Sequence, residues 1–268
     1  MNILVTLNST YLKPLKVMLK SMFINNPTEE FHIYLIQSRI TEEDLTMLDG
    51  FITENGGKLN VITIPDDYFN DAPVLLHYSK EMYYRLLACK FLPPGLDKIL
   101  YLDPDIIVIN KLRALYQLDL TGYLYAAAYH KRVPLKEINK IRLKAYEMEE
   151  YFNSGVLLMN LERQRERINE QEIFNFVAKY KNRLVMPDQD ILNSLYAKRI
   201  KKIDEIKYNY DTRYYRYYKL MSKGVVDMDY VINNTSILHF CGKKKPWHKN
   251  YRGVFYSLYK HYEKQALQ

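Results

Sequence analysis

Apolar and polar positions follow two rhythms along the chain. Residues 2–7 (NILVTL) make an apolar run of strand length, and residues 11–24 (YLKPLKVMLKSMFI) carry apolar side chains at helical spacing. FHIYLIQ (31–37) predicts a second strand, followed by a helix opening at Thr41, an N-cap with Asp44 three residues on. LNVITI (59–64) predicts a third strand, ended by Pro65. A helix over 79–91 is stopped by Pro93-Pro94-Gly95, and YLYAAA (123–128) and GVLLM (155–159) read as buried strands. Segment 130–150 reads as a charged helical excursion, and helices are expected over 170–181 and 188–198. The remainder reads as basic and irregular until a terminal helix near 254–265. Strands alternating with helices predict an α/β fold with a mainly parallel sheet, which places ligands at the carboxyl ends of its strands.

KILYLDPDIIVI (98–109) is the most unusual segment, with apolar runs flanking Asp103-Pro104-Asp105. In extended backbone, residues i and i+2 face the same way, so both carboxylates can converge on one point. Two like charges held close repel, and a divalent cation such as Mg²⁺ or Mn²⁺ supplies the missing counter-charge. A solvated turn bent by Pro104 explains the same tripeptide equally well. SILHFCGKKKPWH (236–248) adds weight to the first reading. Its apolar run delivers His239 into a loop where Gly242 permits close backbone approach and Lys243–Lys245 offer charge to phosphate oxygens. An imidazole beside two carboxylates matches Mn²⁺ better than Mg²⁺.

Composition narrows the field. The 268 residues are 48% hydrophobic and 26% charged, which excludes wholesale disorder. Two cysteines cannot build a disulfide framework, and no apolar run approaches a membrane span or a secretory leader. A cytoplasmic chain is expected. Residues 196–268 hold 16 Lys and Arg against 6 Asp and Glu, a net of +10, so the formal +8 of the whole chain arises in this quarter. A basic, tyrosine-rich end predicts an anionic partner, and lipid, sugar nucleotide or nucleic acid would each satisfy it.

LYLDPDIIV (100–108), YFNSGVLLMNL (151–161), PDQDILN (187–193) and HFCGKKKPWH (239–248), in this order, resemble glycosyltransferase family 8. That group contains bacterial lipopolysaccharide α-galactosyl- and α-glucosyltransferases and glycogenin. The likeness covers about residues 1–250 and leaves 251–268 as a basic, aromatic helix or tail. It implies a GT-A fold: a Rossmann-like, mixed but mainly parallel sheet flanked by helices. Carried over position by position, Asp103, Asp105 and His239 would hold Mn²⁺, with Mg²⁺ as the substitute. Thr6, Asn8 and Tyr11 would face the nucleotide, and Pro104 would lie in the donor site. Gly242 and Lys245 would contact the diphosphate, and Arg85, Asn153 and Asp188 would hold the donor sugar. Gln189 would lie beneath the anomeric carbon, with Asp190 as a nucleophile after rearrangement. His77 and His130 would face the acceptor. Asn8 stands where relatives carry an aspartate that reads uracil, and its amide can still bond a pyrimidine edge.

The resemblance implies a retaining transfer of galactose or glucose from a UDP-sugar to a cell-surface glycan or glycolipid. A non-catalytic nucleotide-sugar- or carbohydrate-binding relative is the alternative. Nucleic-acid binding ranks last, because no RNP, helix-turn-helix or zinc-knuckle pattern accompanies the charge. The stretch 207–219 (KYNYDTRYYRYYK) reads as sugar-stacking tyrosines, as a membrane-facing surface, or as a lid with tyrosines packed on the body. Lys249, Arg252, Lys260 and Lys264 extend the option of peripheral contact with anionic lipid at the inner membrane face. Trp247 reads as a packing anchor for the loop after His239.

Overall fold

The computed structural model describes residues 1–7, 9–37, 39–65, 67–69, 72–73, 81–129 and 150–268. The expected strand–helix rhythm opens the chain: β1 (Asn2–Thr6), a helix Leu12–Asn25, β2 (Phe31–Gln37), a helix Glu42–Glu54 and β3 (Gly57–Thr63). Thr41 caps its helix as expected, its hydroxyl oxygen accepting from Asp44 N at 3.2 Å. The predicted 79–91 helix is described from Glu81, as Glu81–Leu86 and Ala88–Phe91 with a break at Leu87. The 130–149 excursion lies outside the described residues.

KILYLDPDIIVI splits between two sheets. β4 (Lys98–Leu102) joins the large one, and β5 (Ile106–Val108) leaves it. With β6 (Tyr125–Tyr129), β7 (Phe152–Asn160) and β8 (Ile200–Ile203), the seven-stranded order is β3-β2-β1-β4-β7-β6-β8. Only β7 runs against its neighbours β4 and β6. Its first residues therefore meet the carboxyl ends of the others. The small sheet orders β5 beside β10 (Ile237–His239) and β10 beside β9 (Tyr210–Asp211).

Both faces of the central strands β1, β4, β7 and β6 are covered, which is why these read as continuous apolar runs. Ile3, Val5, Leu100 and Leu102 pack beneath Leu15, Met18 and Met22, while Leu4, Ile99 and Tyr101 face the opposite core with Leu87 and Ile191. A third cluster joins the small sheet to the C-terminal helix Tyr256–Leu267 through Leu238, Phe240, Phe255 and Tyr259.

One expectation is corrected. The stretch after residue 198 is ordered by three strands and several short helices. β8 is IKKI, with only its two isoleucines buried, so its lysines masked an edge strand in the composition.

Candidate functional site

Asp103 follows β4, and a turn at Pro104-Asp105 carries the chain into β5. The antiparallel pairing of β5 with β10 sets His239 opposite Ile106, and Phe240 N donates to Asp105 O at 2.9 Å. Asp103 N donates to Gly155 O at 2.8 Å, locking the turn onto β7. One ligand atom each from Asp103, Asp105 and His239 then lie within 4.8 Å of one another. His239 Nε2 is 3.2 Å from Asp105 Oδ1 and 3.8 Å from Asp103 Oδ2. The carboxylates converge across a turn, not along the extended backbone that the tripeptide suggested.

Charge around this group is balanced by cations. Burial by itself would raise Asp105, but His239 and Lys245 outweigh it and hold the carboxyl below its usual range. Lys245 Nζ binds Asp105 Oδ2 and donates to Phe240 O at 2.9 Å. Burial opposes a charged His239, yet Cys241 and Asp105 raise it well above the ordinary imidazole range. Arg85 spans two acids, with Nη2 3.0 Å from Asp103 Oδ1 and Nη1 2.8 Å from Asp188 Oδ2. Its guanidinium lies 4.5 Å from the Tyr101 ring centroid, and its buried Nε has no partner among the described residues.

Beside the acids, the first residues of β7 meet the N-terminus of the helix Pro187–Tyr196. Gln189 Oε1 accepts from Asn153 Nδ2 and from Ser154 N, each at 3.2 Å. Ser154 Oγ donates to Asp188 Oδ2 at 2.9 Å. Asp190 stands apart from the group. It is fully buried, Tyr151 donates to Oδ1 at 2.5 Å, and Val185 N and Met186 N donate to Oδ2 at 2.8 and 3.1 Å. Oδ2 thus anchors the chain entering the helix and Oδ1 ties it to the residue before β7, which disfavours the expected nucleophile.

The nucleotide positions are partly in view. Thr6 Oγ1 lies 3.4 Å from the Tyr101 hydroxyl, which donates to Asp103 Oδ1 at 2.5 Å. Tyr11 meets Trp247 edge-on at 6.0 Å, and Trp247 also packs on Tyr259, so this tryptophan ties the loop to the body. Gly242 has φ of +90°, and a Cβ there would lie 2.7 Å from Arg213 Nη1. Arg213 Nη2 pairs with Asp211 at 2.7 Å. Asn8, His77 and His130 lie outside the described residues.

The group fits a divalent cation on two counts. Its donors are hard oxygens plus one imidazole. The space beside them is kept open by Gly155, where a Cβ would lie 2.3 Å from His239 Cε1 and 2.7 Å from Asp103 Oδ2. Sequence reasoning missed Gly155, Tyr101 and Asn209. The glycine at the head of an apolar strand signals close approach, and Tyr101 two residues before Asp103 signals a shared side. Asn209, whose Oδ1 is 2.8 Å from His239 Nδ1, carries no such signal.

Comparisons with known proteins give the family and the fold. The chain is 25% identical over 274 residues to general stress protein A of Bacillus subtilis (strain 168), covering 98% of this chain and 92% of that protein. It is 25% identical over 257 residues to lipopolysaccharide 1,2-glucosyltransferase of Escherichia coli (strain K12), covering 93% and 73%. The crystal structure of galactosyltransferase LgtC with donor and acceptor sugar analogs superposes with a TM-score of 0.84 at 24% identity, covering 100% of this chain and 97% of that one, and this likeness shows the GT-A fold. The profile of Glycosyl transferase family 8 matches residues 2–251. The chain belongs to that family.

Proposed function

We propose that this chain is a retaining hexosyltransferase that moves galactose or glucose from a UDP-sugar to a cell-surface glycan or glycolipid, with Mn²⁺ held by Asp103, Asp105 and His239. The observation that carries the reading is the meeting of these three ligand atoms within 4.8 Å, beside Arg85, Asn153, Asp188 and Gln189. When bound, Mn²⁺ supplies positive charge to the leaving diphosphate. Lys245, now on Asp105, would bind the same phosphates, and Arg85 with Asp188 and Asn153 would orient the sugar. Gln189 presents a neutral amide that is a poor nucleophile, and the Asp190 carboxylate is fully engaged. Both features favour a front-face displacement, in which the acceptor hydroxyl attacks the anomeric carbon while its proton passes to the departing phosphate oxygen.

Slow hydrolysis of a panel of UDP-sugars, with and without Mn²⁺, tests nucleotide, sugar and cation together. Mn²⁺-dependent cleavage of UDP-galactose or UDP-glucose is expected. Metal-dependent UDP binding with neither cleavage nor transfer would make the chain a non-catalytic nucleotide-sugar binder.

Peripheral contact with anionic lipid is a further part of this reading. No described helix is long and apolar enough to cross a membrane. Tyr259 and Tyr262 of the C-terminal helix face inward, and Lys260, His261, Lys264 and Gln265 are exposed with Leu267 at its end. Leu220, Met221 and Val225 are the most exposed large apolar side chains among the described residues, at 75%, 65% and 65%, and Arg216, Lys219 and Lys223 stand beside them. This apolar tip with a basic collar supports the contact better than the tail does.

A further inference from the structure

We propose that Asn209 is a positioning residue that decides which nitrogen of His239 faces the two aspartates and links that histidine to the sugar-binding amides. The proposal rests on the metal reading above. A carboxamide or imidazole can be turned either way at a given position, so the polarity of the network has to be fixed by groups that can only donate. Two backbone amides do this. Ser154 N–H donates to Gln189 Oε1 at 3.2 Å, so that oxygen is an acceptor and Asn153 turns its Nδ2 toward it, also at 3.2 Å. Gly155 N–H donates to Asn153 Oδ1 at 2.8 Å and fixes the Asn153 amide in the same sense.

The remaining polarities follow in order. Because Asn153 Oδ1 accepts, the atom of Asn209 that reaches it at 2.8 Å is Nδ2. The Asn209 oxygen is then left facing His239 Nδ1 at 2.8 Å. An oxygen there requires a proton on Nδ1. In the neutral ring the lone pair is therefore on Nε2, the nitrogen 3.2 Å from Asp105 Oδ1. Turning Asn209 over would set its NH₂ against the N–H of His239 and its oxygen against the oxygen of Asn153. Asn209 is 2% exposed, and both ends of its amide are used within the site. His239, Asn209, Asn153 and Gln189 thus form one hydrogen-bonded line of an imidazole and three amides, each donating to the next from the metal side to the sugar side.

Two variants test this. Asn209→Leu removes both bonds at similar volume, and Mn²⁺ affinity, read from the electron paramagnetic resonance of free Mn²⁺ at fixed UDP, is expected to fall about 10- to 100-fold. Asn209→Asp keeps an acceptor for Nδ1–H but sets a carboxylate oxygen against Asn153. Its Mn²⁺ affinity is expected to stay close to that of the unaltered chain while the KM for UDP-sugar rises. A folded Asn209→Leu protein, checked by circular dichroism, that binds Mn²⁺ normally would overturn the proposal. So would parallel losses of Mn²⁺ and donor binding in Asn209→Asp, the variant that decides alone if Asn209→Leu does not fold. Failure of the unaltered chain to bind Mn²⁺ would instead remove the metal reading itself.

Discussion

Gly155 and Asp190 show how single residues divide between chemistry and architecture. The Gly155 backbone has no need of a left-handed conformation, so alanine fits the strand and fails only through its methyl group, which meets His239 Cε1 and Asp103 Oδ2. Gly155→Ala is expected to weaken Mn²⁺-dependent UDP binding by more than about 10-fold, as read by isothermal titration, and to cost about 1–3 kcal/mol of stability by overpacking. Asp190→Asn should act on stability alone. Losing a buried charge that accepts from Tyr151, Val185 and Met186 costs about 1.5–3 kcal/mol. Denaturant unfolding should report that loss while donor cleavage per folded molecule stays nearly constant; an unchanged stability with abolished cleavage would return Asp190 to the chemistry. The meeting of Asp103, Asp105 and His239 was legible mainly through the family resemblance, since the paired acids by themselves fitted a solvated turn equally well. Asn209 was not, because its role depends on the direction of an amide, and that direction is set by backbone N–H groups elsewhere in the chain.

At the scale of elements, the early βα units were readable because β1 and β2 are largely buried, β3 keeps an apolar run along the sheet edge and the helices keep a polar stripe. β8 and β9 were not. The first hides two buried isoleucines behind lysines, and the second is two residues long, held by β10 rather than by its own pattern. The C-terminal helix was foreseen in position but not in role. Phe255, Tyr259 and Tyr262 are buried, and Tyr262 accepts from Asn25 Nδ2 at 2.8 Å on the helix Leu12–Asn25. Deleting residues 249–268 is therefore expected to cost on the order of 5 kcal/mol of stability, visible as a lowered melting temperature. The sharper probe of membrane contact is Leu220→Ser with Met221→Ser and Val225→Ser, which leaves the core untouched. Co-sedimentation with phosphatidylglycerol-containing vesicles should fall several-fold relative to the unaltered chain, and equal sedimentation would remove the tip from the contact.

The candidate site is assembled from the large sheet, the small sheet and the Pro187–Tyr196 helix, so a ligand bound there would stabilise the whole fold. UDP with Mn²⁺ at 100 times its dissociation constant should stabilise the fold by about 2.7 kcal/mol, a melting shift on the order of 5–10 °C. EDTA should abolish the shift produced by UDP. A shift that survives EDTA would show nucleotide binding without the cation.

The union of β5 with β10 also governs when the acid–imidazole group is complete. Lys245 and Asp105 are 140 residues apart in the chain, and His239 arrives with the same late strand. A nascent polypeptide halted before that strand displays two acids with no imidazole to complete the grip. The third member of the group therefore reaches the two acids only once the chain past residue 239 has been made.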